Sequence, residues 1–305
     1  MCCLFGFVDY AGSLSVKQKG RLIRELSIAA EARGTDATGV AYNTSRGLQI
    51  YKRPLAAHRL HLRIPAEAHV VLGHTRMTTQ GSAKKNFNNH PFAGCVKGKS
   101  FAVAHNGVIW NDLDLRRTKH LPRTKVQTDS YIAAQLLEQQ KALNLSSLKC
   151  MAEQVEGSFS FSVLSEQDEL WLIKGDNPLN IVHFPKVGVY AYASTAEILN
   201  KALARCGNWL GRGEKVDIAM GDIVKIDSSG RITRGTFDAS KFYRSSWGYW
   251  DVPLYPKVPH SEEEHLALLK SVAKAFGFTS GMIDRLLEQG FSTDDIEELL
   301  YDGGY

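Results

Sequence analysis

The chain enters a sheet almost at once. Met1 and Cys2 are followed by Cys3-Leu4-Phe5-Gly6-Phe7-Val8, an apolar run closed by Asp9. It is too short for the apolar core of a signal peptide and lacks the basic residues that would precede one. Taken as a buried first strand, it puts the N-terminus inside a sheet rather than at a loose end. Ser15 to Arg33 then reads as a helix, with Leu22, Ile23, Leu26, Ile28, Ala29 and Ala30 on its inner side. Strand-like runs follow at Ala37 to Tyr42, Leu48 to Lys52, His69 to His74, Phe101 to His105, Ser158 to Leu164, Leu170 to Lys174, Val187 to Ala193 and Asp222 to Ile226. Helical stretches at Asp129 to Lys141 and Thr195 to Arg205 interrupt them. Strands paired across short polar connections, with helices kept apart, predict a layered α+β domain with largely antiparallel sheets.

A chain of 305 residues with 44% hydrophobic content can bury a sizeable core, which excludes disorder as a description of the whole. The formal charge of +5 is the small difference between 37 basic and 32 acidic residues. The densest basic clusters, Arg116-Arg117 and Arg123 to Lys125, are short and lack interleaved aromatics, so they read as solvated surface and nucleic acid is not an expected partner. The five cysteines, Cys2, Cys3, Cys95, Cys150 and Cys206, are odd in number and show neither a C-x-x-C pair nor metal-ligand spacing. Reduced thiols in a cytoplasmic protein without a metal or other cofactor are expected. No window reaches the roughly 18 apolar residues of a membrane span, so no membrane partner is expected.

Composition changes after Phe242, where Trp247, Tyr249, Trp250 and Tyr255 alternate with Pro253, Pro256 and Pro259. The expected organisation is a domain over 1–242, a Pro/aromatic-rich linker over 243–260 and a small three-helix extension over 261–305. Within the extension, Ser261 to Phe276, Gly281 to Gln289 and Thr293 to Tyr301 read as helices, and Ser261 with Glu264 forms a capping-box pattern.

Cys2 stands apart from the other cysteines. Removal of Met1 would leave a thiol and a free α-amine on one residue, a nucleophile beside a base of pKa about 7.7 to 8.0. The alternative is a small buried hydrophobe at a strand start. Four further segments bear on the choice. Gly73-His74-Thr75-Arg76-Met77-Thr78-Thr79-Gln80-Gly81 ends a strand on an arginine and opens a loop that reaches Asn89-His90-Pro91. In Ala104-His105-Asn106-Gly107-Val108-Ile109, Asn106 and Gly107 predict a tight turn. Thr128-Asp129-Ser130 opens a helix, turning a carboxylate toward a strand end, and Arg33-Gly34-Thr35-Asp36-Ala37-Thr38-Gly39 closes the first helix. Singly, each has an ordinary explanation as a solvated charge, a helix cap or a hairpin turn.

Together with Cys2, these segments resemble the class II glutamine amidotransferase domain, the cysteine member of the N-terminal-nucleophile hydrolases. The family patterns are roughly R-G-x-D-S/A-x-G, G-H-T-R-W-A-T-H-G with a later H-P, H-N-G and T-D, in that order. Weaker echoes fall at Gly157-Ser158-Phe159, Ser194-Thr195-Ala196-Glu197 and Gly221-Asp222-Ile223, so the resemblance runs over about residues 2 to 235. It implies a four-layer αββα sandwich, here with the small C-terminal helical extension.

The resemblance also implies roles. Cys2 is the nucleophile toward the side-chain amide of L-glutamine, forming a γ-glutamyl thioester, with its own α-amine moving the proton. Asn106 and the Gly107 N–H form the oxyanion hole. Arg76 pairs with the glutamine α-carboxylate and Asp129 with its ammonium. Arg33 lies near the nucleophile, and Thr79 lies in the loop that closes over glutamine. Two positions depart from the pattern: Met77 stands where the family often has tryptophan, and Gln80 where several members have histidine. Both belong to the covering loop. His74, His90 and His105 are read as structural, Cys3 as core, and the remaining cysteines as ordinary thiols.

The larger family members carry an acceptor domain. Here neither a P-loop nor a dinucleotide fingerprint nor a phosphoribosyl-type acidic motif appears beyond the resemblance. The ammonia is therefore expected to pass to a separate acceptor enzyme or subunit, with the C-terminal helices as a docking or packing element. Two alternatives stay open at this point. One is an N-terminal-nucleophile hydrolase of another amide, disfavoured by the paired charges Arg76 and Asp129. The other is a glutamine-binding regulatory or scaffold protein.

Overall fold

The computed structural model describes residues 2–245 and 279–291, together with Leu266, Lys270, Thr293 and Ile296. The chain divides into two compact units, Met1–Tyr243 and Arg244–Tyr305. In the first, β1 (Cys3–Asp9), β2 (Ala37–Thr44), β3 (Gly47–Arg53), β4 (Val70–Arg76), β9 (Asn180–Phe184), β10 (Val189–Ala193) and β11 (Glu214–Val216) form a seven-stranded antiparallel sheet in the order β11-β9-β10-β1-β4-β2-β3. A six-stranded antiparallel sheet, in the order β13-β12-β8-β7-β6-β5, is built from β5 (Phe92–Val96), β6 (Lys99–Ile109), β7 (Gly157–Ser165), β8 (Leu170–Lys174), β12 (Asp222–Ile226) and β13 (Ile232–Thr236).

The two sheets pack face to face, and helices cover both outer faces. Leu4, Val8, Leu72, Ala104, Leu164 and Leu172, drawn from both sheets, share one core. Cys3, Phe5 and Phe7 point the other way, into a core with residues of α1 (Val16–Ala29) and α5 (Ala196–Cys206). The outer face of the second sheet packs on α2 (Asp112–Thr118), α3 (Tyr131–Gln140) and α4 (Leu145–Gln154). The result is the four-layer αββα arrangement. β1 sits between β10 and β4 with both faces covered, so it reads as one continuous apolar run rather than an alternating one. Alternation carried one residue back places Cys2 on the side of Leu4, toward the space between the sheets.

Local signals hold the elements in place. Ser15 caps α1 with Gln18 in a reciprocal capping box, and the helix tightens into a 3₁₀ turn over Ala30–Arg33. The buried Lys19 of α1 reaches Asp9 at the end of β1 at 3.3 Å, and its remaining protons go to the carbonyls of Ala66 and Ala68. Full hydrogen bonding is what lets such a pair stay buried.

Gly107 differs from its sequence expectation. Asn106 and Gly107 make no turn; they lie inside the 11-residue strand β6, paired with Ser160 and Phe159. Gly107 has φ +143°, and a Cβ there would stand 1.8 Å from the Ser158 carbonyl oxygen. The glycine serves a close approach between strands rather than a chain reversal. The sequence also left β5, β9, β11, β13, α2 and α4 unassigned. Of these, β11 is three largely exposed residues, and β9 interrupts its apolar positions with Asn180 and His183.

A short helix, α6 (Ser240–Ser245), follows β13. In the second unit α7 (Ser280–Glu288) is described, with Ile283 and Ile296 buried alongside Leu266, Leu286 and Leu287. Residues 246–260 of the expected linker, the capping pair Ser261 and Glu264, and most of the helices expected at 261–276 and 293–301 lie outside the described residues.

Candidate active site

The edge of β6 organises the site. β5 pairs with β6 only as far as Val103, so beyond that point the outer edge of β6 carries no strand among the described residues. Along this edge the His105 carbonyl accepts from His74 Nε2 at 2.9 Å, and the Ile109 N–H donates to Asp129 Oδ2 at 2.7 Å. Gly107 lies midway. Its register partner Phe159 turns away: the Phe159 N–H donates to Asp176 Oδ1 at 2.8 Å and its carbonyl accepts from the Asn177 N–H at 3.4 Å. The ladder therefore does not take up the Gly107 N–H through Phe159, which leaves a backbone donor on the open edge beside a buried carboxylate.

Cys2 is buried just before β1, its thiol 3.5 Å from the Met77 carbonyl oxygen. Burial raises its pKa, with the Met77 backbone and the Arg76 charge acting in the opposite direction. The thiol thus stays protonated unless a base removes the proton. Arg33 Nε donates to the Cys2 carbonyl at 2.9 Å, which puts this side chain against the N-terminal residue. Asp36 completes the junction by accepting the Thr78 N–H through Oδ2 at 2.7 Å.

Arg76, the last residue of β4, is 2% exposed. Its Nη1 donates to Asn89 Oδ1 at 2.7 Å, and its Nη2 to the carbonyls of Gln80 at 2.5 Å and Gly81 at 3.1 Å. No carboxylate among the described residues forms an ion pair with it; Cys2, Asp36 and Asp129 act on it at longer range, while burial pulls its pKa down. A buried guanidinium compensated only by neutral acceptors is a strong anion site. Asp129 is 1% exposed, directly before the N-cap Ser130 of α3. Beyond Ile109, its carboxylate accepts a 3.3 Å contact from Ser130 Oγ. Thr79 is exposed in the loop after Arg76, as are Met77 and Gln80.

Asn106 is fully buried, its Nδ2 3.4 Å from Ser194 Oγ and its Oδ1 without a partner among the described residues. His74, His90 and His105 are packed beneath the loop. The rings of His74 and His90 stack at 4.1 Å, His105 stacks on Phe161 at 4.6 Å, and His105 Nδ1 lies 2.8 Å from Ser130 Oγ. Burial holds all three neutral, His74 down to about 3.

The sequence missed several contributors. Lys52 of β3 donates to the carbonyls of Asn89 and Pro91, and burial lowers its pKa to about 8. A lone lysine in a strand carries no signal of this. Asn177 was equally silent, whereas Ser194 fell within a weak echo of the family pattern. Among the described residues no group of three or more His, Cys, Asp or Glu side chains is placed to hold a metal ion. No helix among them is long and apolar enough to cross a membrane.

A protein-family model described as "Glutamine amidotransferases class-II" matches residues 1–166, more than half of the chain. The chain belongs to the class II glutamine amidotransferases. This membership supports hydrolysis of the glutamine amide. The glutamine–fructose-6-phosphate aminotransferase (isomerizing) of Sulfurisphaera tokodaii is 29% identical over 194 residues, covering 59% of this chain and 31% of that protein. Its counterpart in Bacillus thuringiensis is 31% identical over 192 residues, covering 61% and 29%. The chain thus spans about a third of the length of these curated relatives. Among solved structures, the glutamine phosphoribosylpyrophosphate amidotransferase from B. subtilis complexed with ADP and GMP aligns with a TM-score of 0.60 at 17% identity, over 78% of this chain and 49% of that one. At that identity the likeness establishes the fold, the N-terminal-nucleophile sandwich.

Proposed function

We propose that this amidotransferase hydrolyses L-glutamine to glutamate and ammonia through Cys2, with Met1 removed, and delivers the ammonia to an acceptor enzyme or subunit. The observation that carries the proposal is a pair of buried opposite charges, Arg76 and Asp129, beside a buried thiol and an open strand edge at Gly107. Free glutamine presents the complementary carboxylate and ammonium, whereas an apolar acyl amide presents neither and would leave both charges unpaired.

In the proposed reaction the Cys2 α-amine takes the thiol proton as sulfur attacks the amide carbon. The oxygen becomes an oxyanion, held by the Asn106 NH₂ and the Gly107 N–H; one such donor contributes about 2.7 to 4 kcal/mol to lowering a barrier of this kind. Collapse returns the proton to the departing nitrogen and leaves the γ-glutamyl thioester. Water, deprotonated by the same amine, then releases glutamate. Arg76 and Asp129 hold the two ends of the amino acid. Arg33 fixes the Cys2 carbonyl, and the Arg76 contacts to Gln80 and Gly81 join carboxylate binding to the loop containing Thr79. The class of acceptor is left open by this chemistry, since ammonia is its only shared species.

The test is glutamate release from L-glutamine by protein whose mass shows Met1 to be absent, with Cys2→Ala as control. Turnover is expected in the first and none in the second, with or without added acceptor proteins. A folded, processed protein that releases no glutamate under any of these conditions overturns the proposal.

A further inference from the structure

Asn106 and Gly107 share one peptide, and that peptide is gripped from behind. Asn177 Nδ2 donates to the Asn106 carbonyl at 3.1 Å and to Ser158 Oγ at 2.7 Å. The Asn177 carbonyl is itself held by Ser160 Oγ at 2.7 Å and Lys174 Nζ at 2.9 Å. Because a trans peptide is planar, fixing the Asn106 carbonyl on one side fixes the direction of the Gly107 N–H on the other. A side chain at 107 would meet Asn177 Nδ2 at 2.8 Å, so the grip and the glycine require one another.

The side-chain amide has its own support. Ser194 Oγ, fully buried just after β10, accepts the Leu4 N–H of β1 at 2.9 Å and lies 3.4 Å from the Asn106 amide. The Ser194 backbone is anchored in turn: its N–H donates to the Leu4 carbonyl at 2.9 Å, and its carbonyl accepts from Asn180 Nδ2 at 3.1 Å. A carboxamide has two orientations that exchange its oxygen and nitrogen. With Nδ2 toward Ser194, Oδ1 is buried without a partner among the described residues. With the two exchanged, the Ser194 hydroxyl, free to rotate its proton, donates to Oδ1, and the whole NH₂ faces away from Ser194. That arrangement satisfies Oδ1 and leaves the two amide protons for an acceptor that arrives with the substrate.

We infer that Ser194 and Asn177 are positioning residues that aim the two oxyanion donors: Ser194 turns the Asn106 NH₂ toward the thiol, and Asn177 holds the peptide plane that presents the Gly107 N–H. Ser194 Oγ also accepts from Leu4 of β1, the strand that follows Cys2, so the hydroxyl that orients Asn106 is itself fixed in place. This rests on the glutaminase reading above.

Steady-state kinetics of Ser194→Ala and Asn177→Ala test it, with thermal midpoints to confirm folding. Each is expected to lower kcat about 10-fold to 100-fold, as small misplacements of reacting groups do, while KM for glutamine stays within about twofold. Ser194→Thr, which keeps the hydroxyl, is expected to restore most of the rate. In an Asn106→Ala background, Ser194→Ala is expected to cost nothing more, because its effect passes through Asn106. Equal losses in both backgrounds, or an unchanged kcat in Ser194→Ala while the wild type turns over, would overturn the positioning role and leave the glutaminase reading standing. A wild-type protein without turnover would remove both.

Discussion

The Asp129 carboxylate accepts the Ile109 N–H at 2.7 Å, two residues beyond Gly107 on the same edge of β6. One side chain therefore ties the end of β6 to the residue before the N-cap of α3, and leaves a buried negative charge beside the backbone donor proposed for the oxyanion hole. Asp129→Asn keeps an oxygen for the Ile109 N–H and removes the charge. The expected outcome is a folded protein with kcat/KM for glutamine reduced roughly 10-fold to 100-fold, matching the 1.5 to 3 kcal/mol of a charged hydrogen bond. Unchanged kinetics would show that Asp129 does not meet the substrate ammonium.

Lys52 predicts an effect from outside the pocket. It holds the Asn89 and Pro91 carbonyls, while Asn89 Oδ1 accepts from Arg76. Lys52→Met removes the ammonium, which donates to the loop and lies over the Phe92 ring, and keeps a side chain of similar length. KM for glutamine is expected to rise about 10-fold with a smaller change in kcat, since the loss falls on the loop and the orientation of Arg76. A variant with wild-type KM would separate this anchor from substrate binding.

Gly107→Ala should be among the most damaging small substitutions. It needs a side chain at φ +143° with a Cβ 1.8 Å from a backbone oxygen, a clash that no rotamer relieves. A loss of about 3 kcal/mol in urea-induced unfolding is expected, together with loss of turnover. An unchanged urea midpoint would mean that β6 and β7 can move apart at that point.

The buried histidines make an acid-sensitive core. His74 titrates near 3 in the native state, and burial depresses His90 and His105 as well. An unfolded histidine titrates near 6.5, so between those values the unfolded chain binds more protons than the native one. Their contribution is therefore complete above pH about 6.5 and is lost as pH falls toward the native values, by up to about 1.4 kcal/mol per histidine per pH unit. Urea unfolding at pH 7.5, 6 and 5 is expected to show falling midpoints. His90→Phe should flatten the dependence; the same slope in that variant would assign it to other groups.

How far the site was legible depends on how local its signals are. β1 was readable because both its faces are buried, which writes one uninterrupted apolar run, and α1 because Leu22, Ile23, Leu26 and Ala29 recur on one face. Gly107 was identified as special, yet taken for a turn, since a positive φ looks alike in sequence whether it reverses a chain or admits a neighbouring strand. β11 and β13 stayed hidden because strands with largely exposed or half-buried residues carry little hydrophobic periodicity.

From its sequence alone the chain determined which side chains are available: a cysteine one residue before a buried strand, an arginine at a strand end, an aspartate at a helix start, and a glycine after an asparagine. Those are properties of neighbours along the chain, set by strand alternation and by the caps of local elements. Tertiary structure decided what each of them faces. Ser194 and Asn106 lie 88 residues apart and Lys52 and Asn89 lie 37 apart, so their meetings depend on how two sheets stack and which strands adjoin. Hydrogen bonds across such separations leave no periodic trace in the sequence, because only the closed fold brings donor and acceptor within reach.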